Sequence, residues 1–294
     1  MSDRITNAMT ARTVMSDIQN VFSELSKTQE RLSSGKQLTK PSDDPFGTSR
    51  ALLYRAGLEA NAQYQANTSD ASAWLDATDT ALGQMGSDAG RARDLILQGA
   101  NGTLSLNQRG AIASELDQIA ESIKTAANTQ YAGRYIFSGT ATTTAPFSTG
   151  GADTYLGNSN VINREIGQNI QVPINVTGDT VATPLLAALR QAAVDLRAGG
   201  TPANLSTTDL TALDAASDGI LTTRASVGAR TNRLTAATDR LQQLEQAQSK
   251  QLSDTEDADV AQTMIDFSTQ SAVYQAALKA GANLIQPSLL NFLK

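Results

Sequence analysis

The chain has 294 residues, a net charge of −6 and neither histidine nor cysteine. Those two absences exclude imidazole acid–base catalysis, Ser-His-Asp and Cys-His nucleophiles, disulfides, Fe–S clusters and the usual zinc sites. Lys and Arg are scattered without a basic patch, which argues against nucleic-acid binding, and aromatics reach only 4%, which suits long helices in thin bundles.

The first helical run carries Ala11, Val14, Ile18, Val21, Leu25, Thr28 and Leu32 in alternating steps of three and four. That is the a/d spacing of a coiled coil, and Phe22 widens the stripe. Ser33-Ser34-Gly35 predicts the C-cap. No apolar signal-peptide core precedes this run, and no segment is apolar for the length of a membrane span, so neither a cleaved leader nor membrane insertion is expected.

Next comes the acidic knot KPSDDPFG, with Pro41, Asp43, Asp44 and Pro45. Aspartate before proline reads as an N-cap followed by the first helical position. The sharper alternative is a carboxylate pair for a metal or for acid–base work, but no third ligand lies nearby. The knot therefore predicts a joint, with a helix from Pro45 to about Gly99 carrying Leu75, Leu82, Met85, Ala89, Ala92 and Ile96 inward. Trp74 and Tyr54 read as packing residues. After NGTLSLNQ, Ser105 and Gln108 form a capping box that opens a helix to about Asn128.

From Tyr131 to about Thr183 the chain is rich in Gly, Thr and Asn. Ile170, Val172, Ile174 and Val176 alternate as one face of a strand. A short helix is then predicted, with Thr183 capping, Pro184 in its first turn and Gly199-Gly200 ending it. A long helix from about Thr207 to Lys250 repeats Ile220, Val227, Leu234 and Leu241 every seven residues, with Ala237 and Leu244 between them. LSDTEDADVAQTM has calcium-loop carboxylates but neither the glycine nor the glutamate that such a loop needs. It reads as the charged start of the last helix, with Asp257 as a hinge or cap. Val260, Met264, Phe267, Ser271, Tyr274, Leu278, Gly281 and Ile285 again step by four and three, before a stop at Gln286-Pro287 and an apolar tail that includes Leu289.

Two terminal helices with seams predict that the ends pair; each packing on its own domain is the plainer alternative. The expected fold is mainly α: an elongated antiparallel helical bundle or coiled coil formed by both chain ends, with a small β-rich inserted domain. The expected segments are 1–40 with 255–294 as a terminal coiled coil, 41–138 with 184–254 as a long-helix bundle, and 139–183 as a β-rich outer domain. No catalytic residue, cofactor or metal is expected. A carboxylate-only glycosidase is the surviving enzyme alternative.

Several stretches together carry a resemblance. RLSSGKQLTKPSDDPFGTSRA at 31–51 resembles the N-terminal signature of flagellins and flagellar hook-associated proteins, with KPSDDP similar to the hook-associated protein 3 branch. NTQYAGRYIFSGT at 128–140, RASVGARTNRL at 224–234 and the stretch from Glu256 to Lys294 are similar to the same family. The resemblance implies a structural subunit joining hook to filament through its terminal helices, with flagellin itself as the alternative. It implies self-association, contacts with neighbouring hook-associated protein and flagellin subunits, and an export chaperone on the C-terminal helix. It further implies type III export to the extracellular flagellum, and terminal segments that order on assembly. The assembly seam would then comprise Val14, Ile18, Val21, Leu25, Leu32, Val260, Met264, Phe267, Tyr274, Leu278, Ile285 and Leu289, hinged at Pro41, Asp44, Pro45 and Asp257.

Overall fold

The computed structural model describes residues 2–198 and 204–285. In chain order it holds α1 (Ser2–Ser34), α2 (Pro45–Gly99), α3 (Leu106–Ala127), β1 (Gln130–Tyr131), β2 (Arg134–Tyr135), β3 (Asn163–Gly167) and β4 (Ile170–Pro173). These are followed by α4 (Gly178–Arg197), a π-helical turn (Leu205–Asp209), α5 (Leu210–Glu256) and α6 (Val260–Ile285). The protein is mainly α with a small β insert. Among the described residues, no helix is long and apolar enough to cross a membrane.

The chain packs into two compact units, 1–60 with 244–294 and 61–243. The sequence puts divisions near residues 40 and 255 and sets 139–183 apart. In the structure, Phe137, Phe147, Ile166, Val172 and Ile174 join one core with the helices of the second unit. Two short hairpins, β1–β2 and β3–β4, have too little apolar surface to bury on their own, so they pack on helices instead.

In the second unit, α2 and α5 run antiparallel. Asn61 donates to the Leu241 carbonyl at 2.8 Å, Arg224 pairs with Asp79 at 2.9 Å, and Arg93 pairs with Asp214 at 2.8 Å. The heptad of α5 explains the pairing: Leu213, Ile220, Val227, Leu234 and Leu241 are all buried. Leu244, which follows the same pattern, is exposed. From α2, Leu75, Leu82, Met85, Ala89, Ala92 and Ile96 are buried as the spacing predicts. α3 opens on the predicted capping box, with Ser105 accepting from the Gln108 amide and the Gln108 side chain accepting from the Ser105 amide.

α4 starts earlier than expected. Its N-cap is Thr177 and Pro184 lies inside it. The Gly178 amide donates to the Phe137 carbonyl at 2.8 Å, and Val181 and Ala182 are buried. Tertiary contacts thus extend the helix upstream of a proline that local preference would place at its start. The Gly199-Gly200 stop lies outside the described residues.

A charge cluster ties α3, α4 and the 148–153 loop together. Arg190 donates to Asp153 at 2.7 Å, Asp117 at 2.6 Å and Glu121 at 2.8 Å. Lys124 is fully buried, yet it reaches Glu121 at 2.8 Å and Asp153 at 3.0 Å. The hydrogen bond from Arg190 holds the Asp153 carboxyl below the usual carboxylate range. Burial alone would push Lys124 down, but its bonds to Glu121 and Asp153 outweigh that and raise it. Pattern reading along the chain missed this cluster, because its members are far apart in sequence.

Asp209 behaves oppositely. It is 1% exposed in the π-helical turn, and burial together with the Asp195 carboxylate pushes it up to about 6. A raised carboxyl favours the folded state while protonated, so its contribution is lost as pH rises from about 4 through about 6. Asp209→Asn stays neutral at every pH. It is expected to stabilise the protein at pH 7 by about 2–3 kcal/mol relative to the parent, with the difference vanishing near pH 4. Thermal unfolding at the two pH values measures this; equal shifts at both would contradict it.

Candidate functional site

The candidate site lies in the unit formed by the two chain ends. α1 and α6 pair antiparallel. Thr28 donates to the Gln270 side chain at 2.6 Å, and the Phe22 and Tyr274 rings sit 5.6 Å apart. Further along, a Cβ on Gly281 would meet Ile18 Cδ1 at 3.0 Å and Val14 Cγ1 at 3.2 Å. Glycine at that position permits a close approach of the two helices.

The joint between α1 and α2 sits in the same unit. Gly35 ends α1 in the left-handed region at φ 68°. Asp44 accepts from the Phe46 amide at 3.0 Å and so caps α2 ahead of Pro45. Asp43 accepts from the Lys40 amide at 3.1 Å, closing the turn around exposed Pro41. The chain then clips onto the junction between α5 and α6. The Gln37 amide donates to the Glu256 carbonyl at 2.7 Å, and the Ala258 amide donates to the Gly35 carbonyl at 2.9 Å. The Glu256 carboxylate is buried and takes both Lys36 and Arg55. A cavity of about 530 Å³ beside this joint is lined by Lys36, Leu38, Pro41, Leu52, Arg55 and Glu256 among others. Asp257, expected as hinge or cap, instead forms a β-bridge with Lys36. Asp259 caps α6, accepting from the Ala261 amide at 2.9 Å and the Gln262 amide at 3.1 Å. The cap must immediately precede the first turn, and α6 begins at Val260.

Glu256→Ala would leave two cations at the joint without their shared buried carboxylate. Removing one partner of such a cluster exposes the others' desolvation cost. The expected result is a loss of about 1–3 kcal/mol, read as a lower urea midpoint for the terminal unit. An unchanged midpoint would contradict the clip.

The seam residues divide. On α1, Val14, Ile18, Val21, Leu25 and Leu32 are half-buried, and Thr28 is buried. On α6, Phe267 and Tyr274 are half-buried beside buried Thr263 and Gly281. Val260 at 54% exposure, Met264 at 60% and Leu278 at 43% do not enter the pairing face. Ile285 is the last described residue, and Leu289 lies outside the described residues, as do the Pro287 stop and the apolar tail. α6 is therefore apolar on more than one face, and periodicity selects the greasier one. The actual seam uses Thr263, Phe267, Gln270, Tyr274 and Gly281. The signal that locates it is polar: Gln270 opposite Thr28.

Val260, Met264 and Leu278 form a stripe turned roughly 60° from the seam at 100° per residue. Met15 and Phe22 form a similar stripe on α1, turned the same way from its seam, and both are exposed. In an antiparallel pair, flanks turned in the same sense fall on the same side. The two stripes thus lie exposed on one side of the pair. Among the described residues, no group of three His, Cys, Asp or Glu side chains is arranged to hold a metal.

Comparison with known proteins agrees with this geometry. Residues 5–142 match the model of the bacterial flagellin N-terminal helical region, and residues 210–293 match that of the C-terminal helical region. The chain belongs to the flagellin family. It is 28% identical to flagellar hook-associated protein 3 of Escherichia coli K12 over 320 aligned positions, covering 99% of this chain and all of that protein. A solved flagellar hook-associated protein from Vibrio parahaemolyticus superposes with a TM-score of 0.67 at 25% identity, over 73% of this chain and 100% of the other. A Salmonella phase 1 flagellin is 32% identical over 117 residues, but that match covers 40% of this chain and only 23% of the flagellin. The family's two helical regions contain every element of the terminal unit just described. They leave the 143–209 stretch, with β3, β4 and α4, outside both.

Proposed function

We propose that this chain is a structural subunit of the bacterial flagellum that joins hook to filament. The observation that carries this reading is the end-to-end match with hook-associated protein 3, against a match to flagellin that covers under a quarter of the flagellin. The terminal helices supply the means. Their mutual seam holds the pair together, and the apolar strip on its flank faces neighbouring subunits. Burying that strip removes apolar area from water at roughly 25 cal/mol per Å². A lone helix is marginal in water, so ordering of the ends is coupled to assembly. The relatives are flagellar structural proteins, and the reading includes no catalysis.

Three further elements belong to the same proposal. The chain is exported through the flagellar type III apparatus. An export chaperone covers the C-terminal helix until then, shielding the stripe at Val260, Met264 and Leu278. The mature protein is extracellular, where the lack of cysteine makes it indifferent to the change in redox compartment. A deletion strain tests the function. Hooks without filaments, with flagellin released into the medium, are expected; hooks bearing normal filaments would contradict it.

A further inference from the structure

The turn between α2 and α3 carries a chemistry that neither the helix pairing nor the assembly reading uses. Asn101-Gly102 is the one asparagine–glycine pair in the sequence. Asn101, Gly102 and Thr103 are all exposed. In such a pair the backbone nitrogen after the asparagine reaches the side-chain carboxamide easily, because glycine adds no Cβ to hinder the approach. The backbone on either side is held. The Asn101 amide donates to the Gln98 carbonyl at 3.1 Å, and the Leu104 amide donates to the Asn101 carbonyl at 3.3 Å. The Gly102 amide lies between them and has no acceptor among the described residues, so base in the solvent can take its proton.

The Asn101 side chain is oriented as an electrophile. Its Oδ1 accepts from the Thr103 amide at 3.3 Å and from the Thr103 hydroxyl at 3.0 Å. These two donors polarise Cγ and stand where negative charge collects on Oδ1 after attack. Its Nδ2 donates to no group among the described residues, so it leaves without breaking a hydrogen bond. Asn158 shows the opposite arrangement. It precedes Ser159, its Oδ1 accepts from the Thr140 amide at 2.9 Å, and its Nδ2 donates to the Thr140 hydroxyl at 3.0 Å. That carboxamide is tied across to another loop and is not free to turn onto the following nitrogen.

We infer that Asn101 is a site of spontaneous deamidation, at which the α2–α3 turn converts to aspartate and isoaspartate as the protein ages. The Gly102 nitrogen gives up its proton and bonds to Asn101 Cγ. The Cγ–Nδ2 bond then breaks, and Nδ2 takes up a proton and departs as ammonia. Water opens the resulting cyclic imide at one carbonyl or the other, and nothing is oxidised or reduced. Either product adds a negative charge to a chain already at −6. The isoaspartate form also routes the backbone through Cβ and Cγ, which lengthens the link ahead of the Ser105–Gln108 capping box.

Purified full-length chain is incubated at mildly alkaline pH, digested with trypsin and read by mass spectrometry on the 94–109 peptide. Synthetic 94–109 peptide is incubated in parallel. A gain of one mass unit at Asn101 is expected in the intact chain, at a rate at least equal to that of the free peptide, while Asn158 stays unconverted. Gly102 is not in the left-handed region, so Gly102→Ala leaves the turn unstrained. It is expected to slow the conversion about tenfold or more. Thr103→Val keeps the backbone donor and removes the hydroxyl, and is expected to slow the intact chain by about three- to tenfold. An intact chain that stays unconverted while the peptide reacts would overturn the site, since the fold then protects Asn101. Conversion of Asn158 as fast as Asn101, or a parental rate in Thr103→Val, would overturn the geometry assigned to it.

Discussion

Met264→Asp combined with Leu278→Asp is expected to leave the protein folded and to abolish its incorporation into flagella. Both side chains are exposed in the subunit, at 60% and 43%, and neither enters the α1–α6 seam. Exposed substitutions away from caps and cores change stability by about 0.5 kcal/mol or less. In an interface the same changes desolvate two carboxylates against apolar neighbours, which costs several kcal/mol each. A swimming assay and a count of filaments in cells measure the loss, while thermal unfolding of the purified variant measures the fold. The informative control is Phe267→Ala with Tyr274→Ala, which empties the seam itself. That pair is expected to destabilise the terminal unit before any question of assembly arises. Normal motility in the double aspartate variant would remove the flank from the assembly surface.

The second large effect is expected at Gly139→Ala, in the unit formed by residues 61–243. Gly139 sits at φ 66°, where an L side chain is strained. An added Cβ would stand 2.0 Å from the Asn158 carbonyl oxygen, well inside contact distance. The loop cannot simply step away. Asn158 Oδ1 accepts from the Thr140 amide at 2.9 Å, and Tyr155 donates to the Phe137 and Asn158 carbonyls at 2.8 and 3.0 Å. Phe137 and Phe147, on either side, are fully buried. The expected loss is about 2–4 kcal/mol, seen as a fall in Tm of roughly 5–15 °C. An unchanged Tm would mean that the 155–160 loop is held far less firmly than its hydrogen bonds imply.

Much of this protein was legible one helix at a time. The start of α2 follows from Asp44 and Pro45, and that of α3 from Ser105 and Gln108, because caps act within one turn. The stripe of α5 was equally plain, since a sevenfold repeat of Leu, Ile and Val has one meaning when the opposite face is polar. Three features escaped for identifiable reasons. α4 begins at Thr177 and not Thr183 because a contact from Phe137, forty residues upstream, satisfies its first amide. α6 has apolar residues on two faces, so its spacing could not say which face its partner α1 would take. The cap of α6 is Asp259, and in a run holding Asp254, Glu256, Asp257 and Asp259 only the position of the first helical turn selects among them.

The two-faced character of α6 links packing to function. A helix that served only to complete its own subunit would need one apolar face. This one pairs with α1 through Phe267, Tyr274 and Gly281 and keeps Val260, Met264 and Leu278 outside. The polar contact between Thr28 and Gln270 fixes the register of that pairing without making it greasy. That division of faces fits the proposal above, in which the ends gain order among neighbouring subunits.

Hydrogen exchange on the free chain and on assembled junctions tests that claim most directly. Amides of α1 and α6 are predicted to exchange within seconds to minutes in the free chain, while those of α3 and α5 in the 61–243 unit are protected; after assembly, α1 and α6 should be protected by orders of magnitude more. Equal, strong protection of α1 and α6 in both states would contradict the coupling of order to assembly.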